Sequence, residues 1–481
     1  MTATRGGSPA TVAPGRSRNP WLVLVVLCLG QCVVLLDTTI VNAAIPSMVS
    51  GLGASVDEIL WIGSSYLLAY AVLLVTSGRL GDLYGQKRLF VTGLLLFTAA
   101  SAACGAAQSP GQLVAARVVQ GVGAALLTPQ SLALISRIFP ADRRGRALGV
   151  WGSMVGLAAA AGPTAGGLLI STLGWRWVFY INLPIGAVVV VLALLVLPTL
   201  PAAGGRRLDV MGTVLITAGL GLLVFGLIEG EPNGWSPFIL ALIGAGVLLL
   251  AVFLAVERDR QDREPLLPFA MLRERNFTVT SLVVWTLPCS LGAMLFLTMI
   301  YLQTVLGISA LHAGLLVAVA PLVSVFVSPL SGRLIDAFHG KYVMIGGFAL
   351  FALGIGVLAL SATPDATALD LLPGLAVFGV GMGIASAPPG AVALRGIGEA
   401  HAGAASGLFN MSRVCGNALG GATVGALLQA RLAAWDGSLT PSGEAGRAAL
   451  AHAVRETYLF PIGVLLLAVA VSFAVRRSPR T

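Results

Sequence analysis

Ser77-Gly-Arg-Leu-Gly-Asp82 recurs as Ser331-Gly-Arg-Leu-Ile-Asp336, 254 positions further along the chain. Gly162-Pro-Thr-Ala-Gly-Gly167 meets Gly416-Asn-Ala-Leu-Gly-Gly421 at the same offset. Either match alone could arise by chance in a Gly-rich chain. Their common register points to an internal duplication, and a duplication decides the architecture before any residue-level reading.

The material being duplicated is membrane-spanning. The 481 residues are 57% hydrophobic and 10% charged, where a soluble domain carries about 25% charged residues, and the mean hydropathy is +0.92. Apolar stretches of about 20 residues, enough to cross a hydrocarbon core of about 30 Å, begin near Trp21, Asp57, Lys87, Gly111, Gly145, Trp175, Asp209, Ser236, Phe277, Ala310, Lys341, Ala368, Ala402 and Tyr458. The expectation is an all-α integral membrane protein with fourteen transmembrane helices. It divides into a flexible cytoplasmic tail (1–20), an N-terminal six-helix half (21–198), an inserted two-helix segment with a cytoplasmic linker (199–274), a C-terminal six-helix half (275–475) and a short cytoplasmic tail (476–481). The first apolar run is too long for a cleaved signal peptide and many more follow it, so it reads as a span.

With the N-terminus placed inside, twenty-three of the 29 Lys and Arg residues fall on the cytoplasmic side, four outside and two within spans. That bias puts both termini in the cytoplasm. It also explains a net charge of +9 and a pI near 9.8 without nucleic acid, for which a basic stripe with interleaved aromatics would be needed. The five cysteines all lie in apolar runs with no metal-ligand spacing, so neither disulfides nor a metal site are expected. No phosphate-binding Gly-x-x-x-x-Gly-Lys-Ser/Thr loop occurs, which excludes ATP as the direct energy source. No catalytic residues and no cofactor are expected.

Several motifs resemble those of the fourteen-span drug:proton antiporter family of the major facilitator superfamily. Gly78-Arg-Leu-Gly-Asp-Leu-Tyr-Gly-Gln-Lys-Arg88 is similar to the superfamily's signature loop between spans 2 and 3. Its glycines, Gly78 and Gly85 among them, permit a tight turn, Asp82 can cap a helix N-terminus, and Arg79, Lys87 and Arg88 supply cytoplasmic charge pairs. Arg333 and Asp336 repeat it in the second half. The resemblance implies that this loop gates the conformational change, although Leu83 and Gln86 stand where basic residues are usual. Arg117-Val-Val-Gln120-Gly-Val-Gly resembles the span 4 motif, whose arginine the family links to proton transfer. Gly162, Pro163, Gly166 and Gly167 resemble the antiporter motif of span 5, where close-packing glycines shape a bend. Trp175-Arg-Trp-Val-Phe-Tyr-Ile-Asn-Leu-Pro184 and Leu36-Asp-Thr-Thr-Ile-Val-Asn-Ala-Ala-Ile-Pro46 resemble the drug-exporting branch. These motifs imply a site between the halves and alternating access.

Of the twenty acidic residues, only Asp37 lies well inside a span, and an intramembrane carboxylate is by default a functional hypothesis. At 1.5 Å per residue it sits about 24 Å up its helix, roughly 6 Å below the outer edge, while Arg117 is about 9 Å deep in a descending span. The two are therefore expected to be coupled, with Asp37 carrying the proton; the alternative is that Asp37 simply anchors Arg117 or local backbone. Gln31, Thr38 and Asn42 fall within about 40° of one another on the helical wheel beside Asp37. The second half offers Arg413 near the midplane, with Asn410 and Asn417 on its face able either to satisfy it or to share a substrate site. Gln120, Trp61, Trp285, Met294, Tyr301 and Phe409 complete the candidates for the substrate cavity, the aromatics and Met suiting flat hydrophobic ligands as readily as helix packing.

The sequence thus reads as a proton-driven secondary antiporter, not an enzyme, exporting hydrophobic drugs or antibiotics, with a cationic substrate competing for Asp37. It is expected as a monomer in a bacterial plasma membrane, its partners being a small molecule, protons and lipid. Export of an endogenous secondary metabolite, nutrient uptake, a passive channel and a transporter-like sensor are the rivals.

Overall fold

The computed structural model describes residues 19–52, 56–200, 209–230, 234–261, 265–398, 401–435 and 443–476, and every regular element among them is helical. The first six rods are α1 (Pro20–Leu52), α2 (Val56–Tyr84), α3 (Gln86–Ala106), α4 (Pro110–Ile138), α5 (Ala141–Leu173), and α6 (Trp177–Tyr180) continued by α7 (Asn182–Val196). The inserted pair is α8 (Val210–Gly230) and α9 (Pro237–Asp259), which pack on each other. After a short α10 (Phe269–Arg273), six more rods follow with more breaks. They are α11 (Arg275–Val284) with α12 (Thr286–Ile300), α13 (Ala310–Val317) with α14 (Val319–Ala337), α15 (Gly340–Ser361), α16 (Leu372–Ser386) with α17 (Pro388–Arg395), α18 (Ala402–Ala434), and α19 (Gly443–Thr457) with α20 (Leu459–Ser472).

Local chemistry sets the ends. Gly85 takes φ 94°, open to glycine at no steric cost, and so turns α2 into α3 within one residue. Ser109 accepts a hydrogen bond from the Gln112 N–H at 3.4 Å and Pro110 occupies the first turn, which together start α4.

Among the described residues, twelve stretches are long and apolar enough to cross a membrane, against fourteen expected. The segments expected to begin at Gly145 and Ala402 are the difference. They form α5 and α18, helices of 33 residues each, built more of Gly, Ala and Ser than of Leu, Ile and Val. Such residues let backbones approach closely, and both helices are gripped on two sides: α5 by α1 and α14, α18 by α2 and α12. α19 is a helix where the sequence suggested a connecting loop. Its charged composition hides an apolar face, Leu450, Ala451, Ala453 and Val454, all buried.

The duplication reappears in the packing. A Cβ on Gly162 of α5 would run into Thr39 of α1, and one on Gly416 or Gly420 of α18 would run into the backbone of Trp285 or Cys289, at the start of α12. Fifth rod meets first rod in each half through the same repeated glycines. Across the halves the exchange is crossed: α2 packs on α18, and α5 on α14. Glycine backbone contacts at Gly78 with Gly403 and at Gly145 with Gly332 bring these pairs together, all toward the end of the bundle where α2 turns into α3.

These contacts leave no room for side chains. A Cβ on Gly407 would sit 2.6 Å from the Leu74 carbonyl oxygen, whereas one on Gly346 meets nothing within 4 Å. Gly407→Val is therefore expected to cost about 1–3 kcal/mol through overpacking, read as a lowered Tm in detergent, with Gly346→Ala as the unaffected control. Equal Tm values for the two variants would contradict a close-packed interface.

Candidate functional site

Asp37 lies in α1 with no solvent exposure. A carboxylate survives there only if its lone pairs are met, and donors from two helices meet them. From α4, the Arg117 guanidinium donates through Nη1 to Oδ2 at 2.5 Å, and Gln120 Nε2 donates to Oδ1 at 2.8 Å. From α7, Asn182 Nδ2 donates to the same Oδ1 at 3.1 Å and to Ser101 Oγ of α3 at 3.0 Å.

Arg117 is equally enclosed, 1% exposed. Its Nε donates to the Ile62 carbonyl of α2 at 3.1 Å and its Nη1 also reaches Gln120 Oε1 at 2.8 Å. The Tyr66 ring lies 4.1 Å below the guanidinium carbon, within the range where a cation gains from an aromatic face. Tyr66 in turn stacks on Tyr70, centroids 6.0 Å apart. The expected pairing of Asp37 with Arg117 is thus present. Asn182, Ser101 and Tyr66 were not picked out as site residues, although Asn182 stands in the quoted 175–184 motif as an amide inside an apolar helix.

At the α2/α3 turn Asp82 is 3% exposed and accepts hydrogen bonds from the backbone N–H groups of Gly403 (2.8 Å) and Ala404 (2.9 Å). It caps the N-terminus of α18, where free N–H groups and the helix dipole favour an anion. Gln86, in place of the usual base, donates to Asp82 at 3.3 Å and accepts from Arg137 at 2.9 Å. Arg79 is buried, Arg88 and Arg333 are exposed. Lys87 donates to the Leu194 and Leu197 carbonyls at 2.8 Å each, closing the C-terminus of α7. Asp336 pairs with Arg146 of α5 at 3.3 Å.

The remaining candidates separate. Phe409 and Arg413 line a small cavity between the halves, of about 90 Å³, with Trp151, Leu287, Met382 and Gly390. Asn410 turns away, its amide donating to the Ser406 carbonyl at 2.9 Å. Trp285 is half-buried against Gly416, and Trp61 packs on Phe225 of α8 at 5.4 Å. Met294 and Tyr301 are fully buried in the hydrophobic core of the second half, Met294 accepting from Thr298 and Tyr301 donating to the Thr363 carbonyl at 2.6 Å. Their apolar surface is spent on helix packing. Gln31 is buried, and Thr38 bonds back to the Val34 carbonyl at 2.9 Å. Gly162 and Gly166 are buried in α5; the side-chain surroundings of Asn42, Pro163 and Asn417, and the burial of Gly167, lie outside the described residues.

A two-fold repeated helical bundle with an ion pair buried between its rods has the architecture of a multi-pass membrane transporter. The family model of the Major Facilitator Superfamily matches residues 27–421, and the chain belongs to that superfamily. It is 36% identical over 469 residues to the puromycin resistance protein pur8 of Streptomyces alboniger, covering 96% of this chain and 92% of that one. It is 37% identical over 431 residues to the probable actinorhodin transporter of Streptomyces coelicolor, covering 88% and 75%. Among solved structures, the proton:xylose symporter XylE bound to 6-bromo-6-deoxy-D-glucose superposes with a TM-score of 0.67 at 14% identity, over 94% of each chain, a likeness of fold alone.

Asn182→Leu would leave Asp37 Oδ1 with Gln120 as its one side-chain donor among the described residues. The expected cost is about 1–3 kcal/mol, that of weakening a buried charged acceptor's hydrogen bonding, measured as a lowered Tm. An unchanged Tm would mean that the amide adds nothing to the network.

Proposed function

We propose that the protein is a proton-coupled antiporter that exports hydrophobic drugs or antibiotics across the bacterial plasma membrane. The observation that carries this reading is the enclosed Asp37–Arg117 pair, a titratable group held inside the bundle by donors from α4 and α7. Adding a proton to Asp37 removes the charge that fixes Arg117, which retains Gln120, the Ile62 carbonyl and the Tyr66 face. A buried cation that loses its counter-charge is strongly disfavoured, so protonation would favour a different packing of α1 against α4. That differential stability is what a proton needs in order to drive alternating access.

In this reading the chain crosses fourteen times, α5 and α18 included, with both termini in the cytoplasm. The Lys and Arg distribution supports that orientation. The α2/α3 turn is then cytoplasmic, and the capping of α18 by Asp82 together with the Arg146–Asp336 pair closes the path to the cytoplasm. Relatives named for puromycin resistance and for tetracenomycin C resistance and export support antibiotics as cargo. The name cephamycin export protein, borne by a relative from Amycolatopsis lactamdurans that is 34% identical over 478 residues, favours a second reading: export of a compound the cell itself makes.

In a host stripped of its own pumps, the wild type is expected to raise resistance to at least one antibiotic, and everted vesicles to accumulate that compound only under an imposed pH gradient. Asp37→Asn, which keeps the shape and one acceptor, is expected to reduce both to the level of the empty host while expressing normally. Full pH-driven transport by Asp37→Asn would sink the proton assignment, and no resistance to any compound would sink drug export.

A further inference from the structure

The cavity between the halves contains donors and no acid. Arg413, on α18, is half-buried in its wall. Among the described residues it has no carboxylate and no hydrogen-bond partner; its guanidinium carbon lies 5.7 Å from the ring centre of Trp151, on α5. Trp151 is 6% exposed and its indole Nε1–H is buried without a hydrogen-bond partner. Two unmet donors from opposite halves therefore face one space, and no Asp or Glu lines it. An unpaired guanidinium within a membrane bundle is costly, and a buried N–H without an acceptor adds to that cost. The pattern is relieved by a ligand that brings negative charge and acceptor atoms.

Asp37 cannot supply the opposite preference in this conformation. Both its oxygens are engaged, Oδ2 by Arg117 and Oδ1 by Gln120 and Asn182, and it has no exposed surface for a cation to reach. The rest of the wall is largely apolar, with Phe409, Leu287, Pro288 and Met382, and an aromatic face beside an adaptable Met favours contact with a ring system.

We propose that the exported molecule is a planar hydrophobic acid, whose carboxylate or phenolate pairs with Arg413 and accepts from the Trp151 N–H while its rings lie against Phe409. This rests on reading the cavity as part of the export path, and it replaces a cationic substrate with an anionic one. Arg413 then sets charge selectivity, and Asp37 is left to the proton.

The test is equilibrium binding of two dyes with the same tricyclic core and opposite charge, anionic fluorescein and cationic pyronin Y, to the purified full-length protein in detergent by fluorescence anisotropy. The wild type is expected to bind fluorescein more tightly than pyronin Y. Arg413→Gln should weaken fluorescein by about tenfold or more, the scale of one charge-assisted hydrogen bond, and leave pyronin Y unchanged or tighter. Arg413→Lys, which keeps the charge, should retain much of the fluorescein affinity, and Trp151→Phe, which keeps the ring face, should lose a smaller factor. Failure of the wild type to bind fluorescein, or equal weakening of both dyes by Arg413→Gln, overturns the proposal. Binding needs no ion gradient, so failure of proton coupling in vesicles would leave this result standing, and the two readings fail separately.

Discussion

A carboxylate enclosed in a membrane bundle constrains everything around it, because water is not there to meet the lone pairs that the protein leaves open. Asp37 is satisfied by Arg117 and Gln120 of α4 and Asn182 of α7. Arg117 needs its own partners and finds them in the Ile62 carbonyl and Tyr66 ring of α2, while Asn182 is fixed by Ser101 of α3. Five helices are thereby held in register by one charge. The apolar contacts of the first half fill space around this network, but many apolar packings are near in energy, and directional bonds to a single buried charge select among them.

The second constraint is the seam between the halves, where a repeated sequence meets two different helix ends. In the 254-residue register the start of α18 at Ala402 corresponds to position 148, yet α5 already begins at Ala141. Asp82 accordingly meets the open end of α18 and accepts from two free N–H groups. Asp336 meets α5 at Gly145 and Arg146, in the second turn of the helix, and pairs with the Arg146 side chain. The repeated motif thus meets the first residues of α18 on one side and the second turn of α5 on the other, the partner helices starting about two helical turns apart in the shared register.

Charge and repetition were legible in the sequence because both are costly to place at random in a span. The depths of Asp37 and Arg117 followed from helical rise, and their contact is as expected. Asn182 was written in the chain too, but an amide at the start of an apolar helix gives no sign of which carboxylate it will face. Met294 and Tyr301 were open between core and cavity because large adaptable side chains serve both equally well; the neighbouring rods enclose them in the core of the second half. Trp151 lies upstream of the span 5 motif on the same helix; that its ring meets Arg413 depends on how the two halves are docked. α19 escaped because the helical face of a polar segment becomes visible when α18 covers it.

Both half-sites touch α2. Arg117 sits on Tyr66, Tyr66 stacks on Tyr70 one turn further along, and the Tyr70 hydroxyl lies 3.3 Å from Thr128 of α4. Contiguity of this sort does not by itself make a coupling pathway; a shared element that both sites bias is needed. α2 meets that requirement on geometric grounds. Its Ile62 carbonyl and Tyr66 hold Arg117, and its last two turns carry Gly78 and Asp82 against α18, the helix that bears Arg413. A rigid helix displaced at the ion pair cannot keep its cap on α18 in place, because backbone-to-backbone contact at Gly78 and Gly403 leaves no side chain to absorb the shift. Neutralising Asp37 and filling the cavity beside Arg413 therefore act on the same rod, one through its middle and the other through the helix that its end holds.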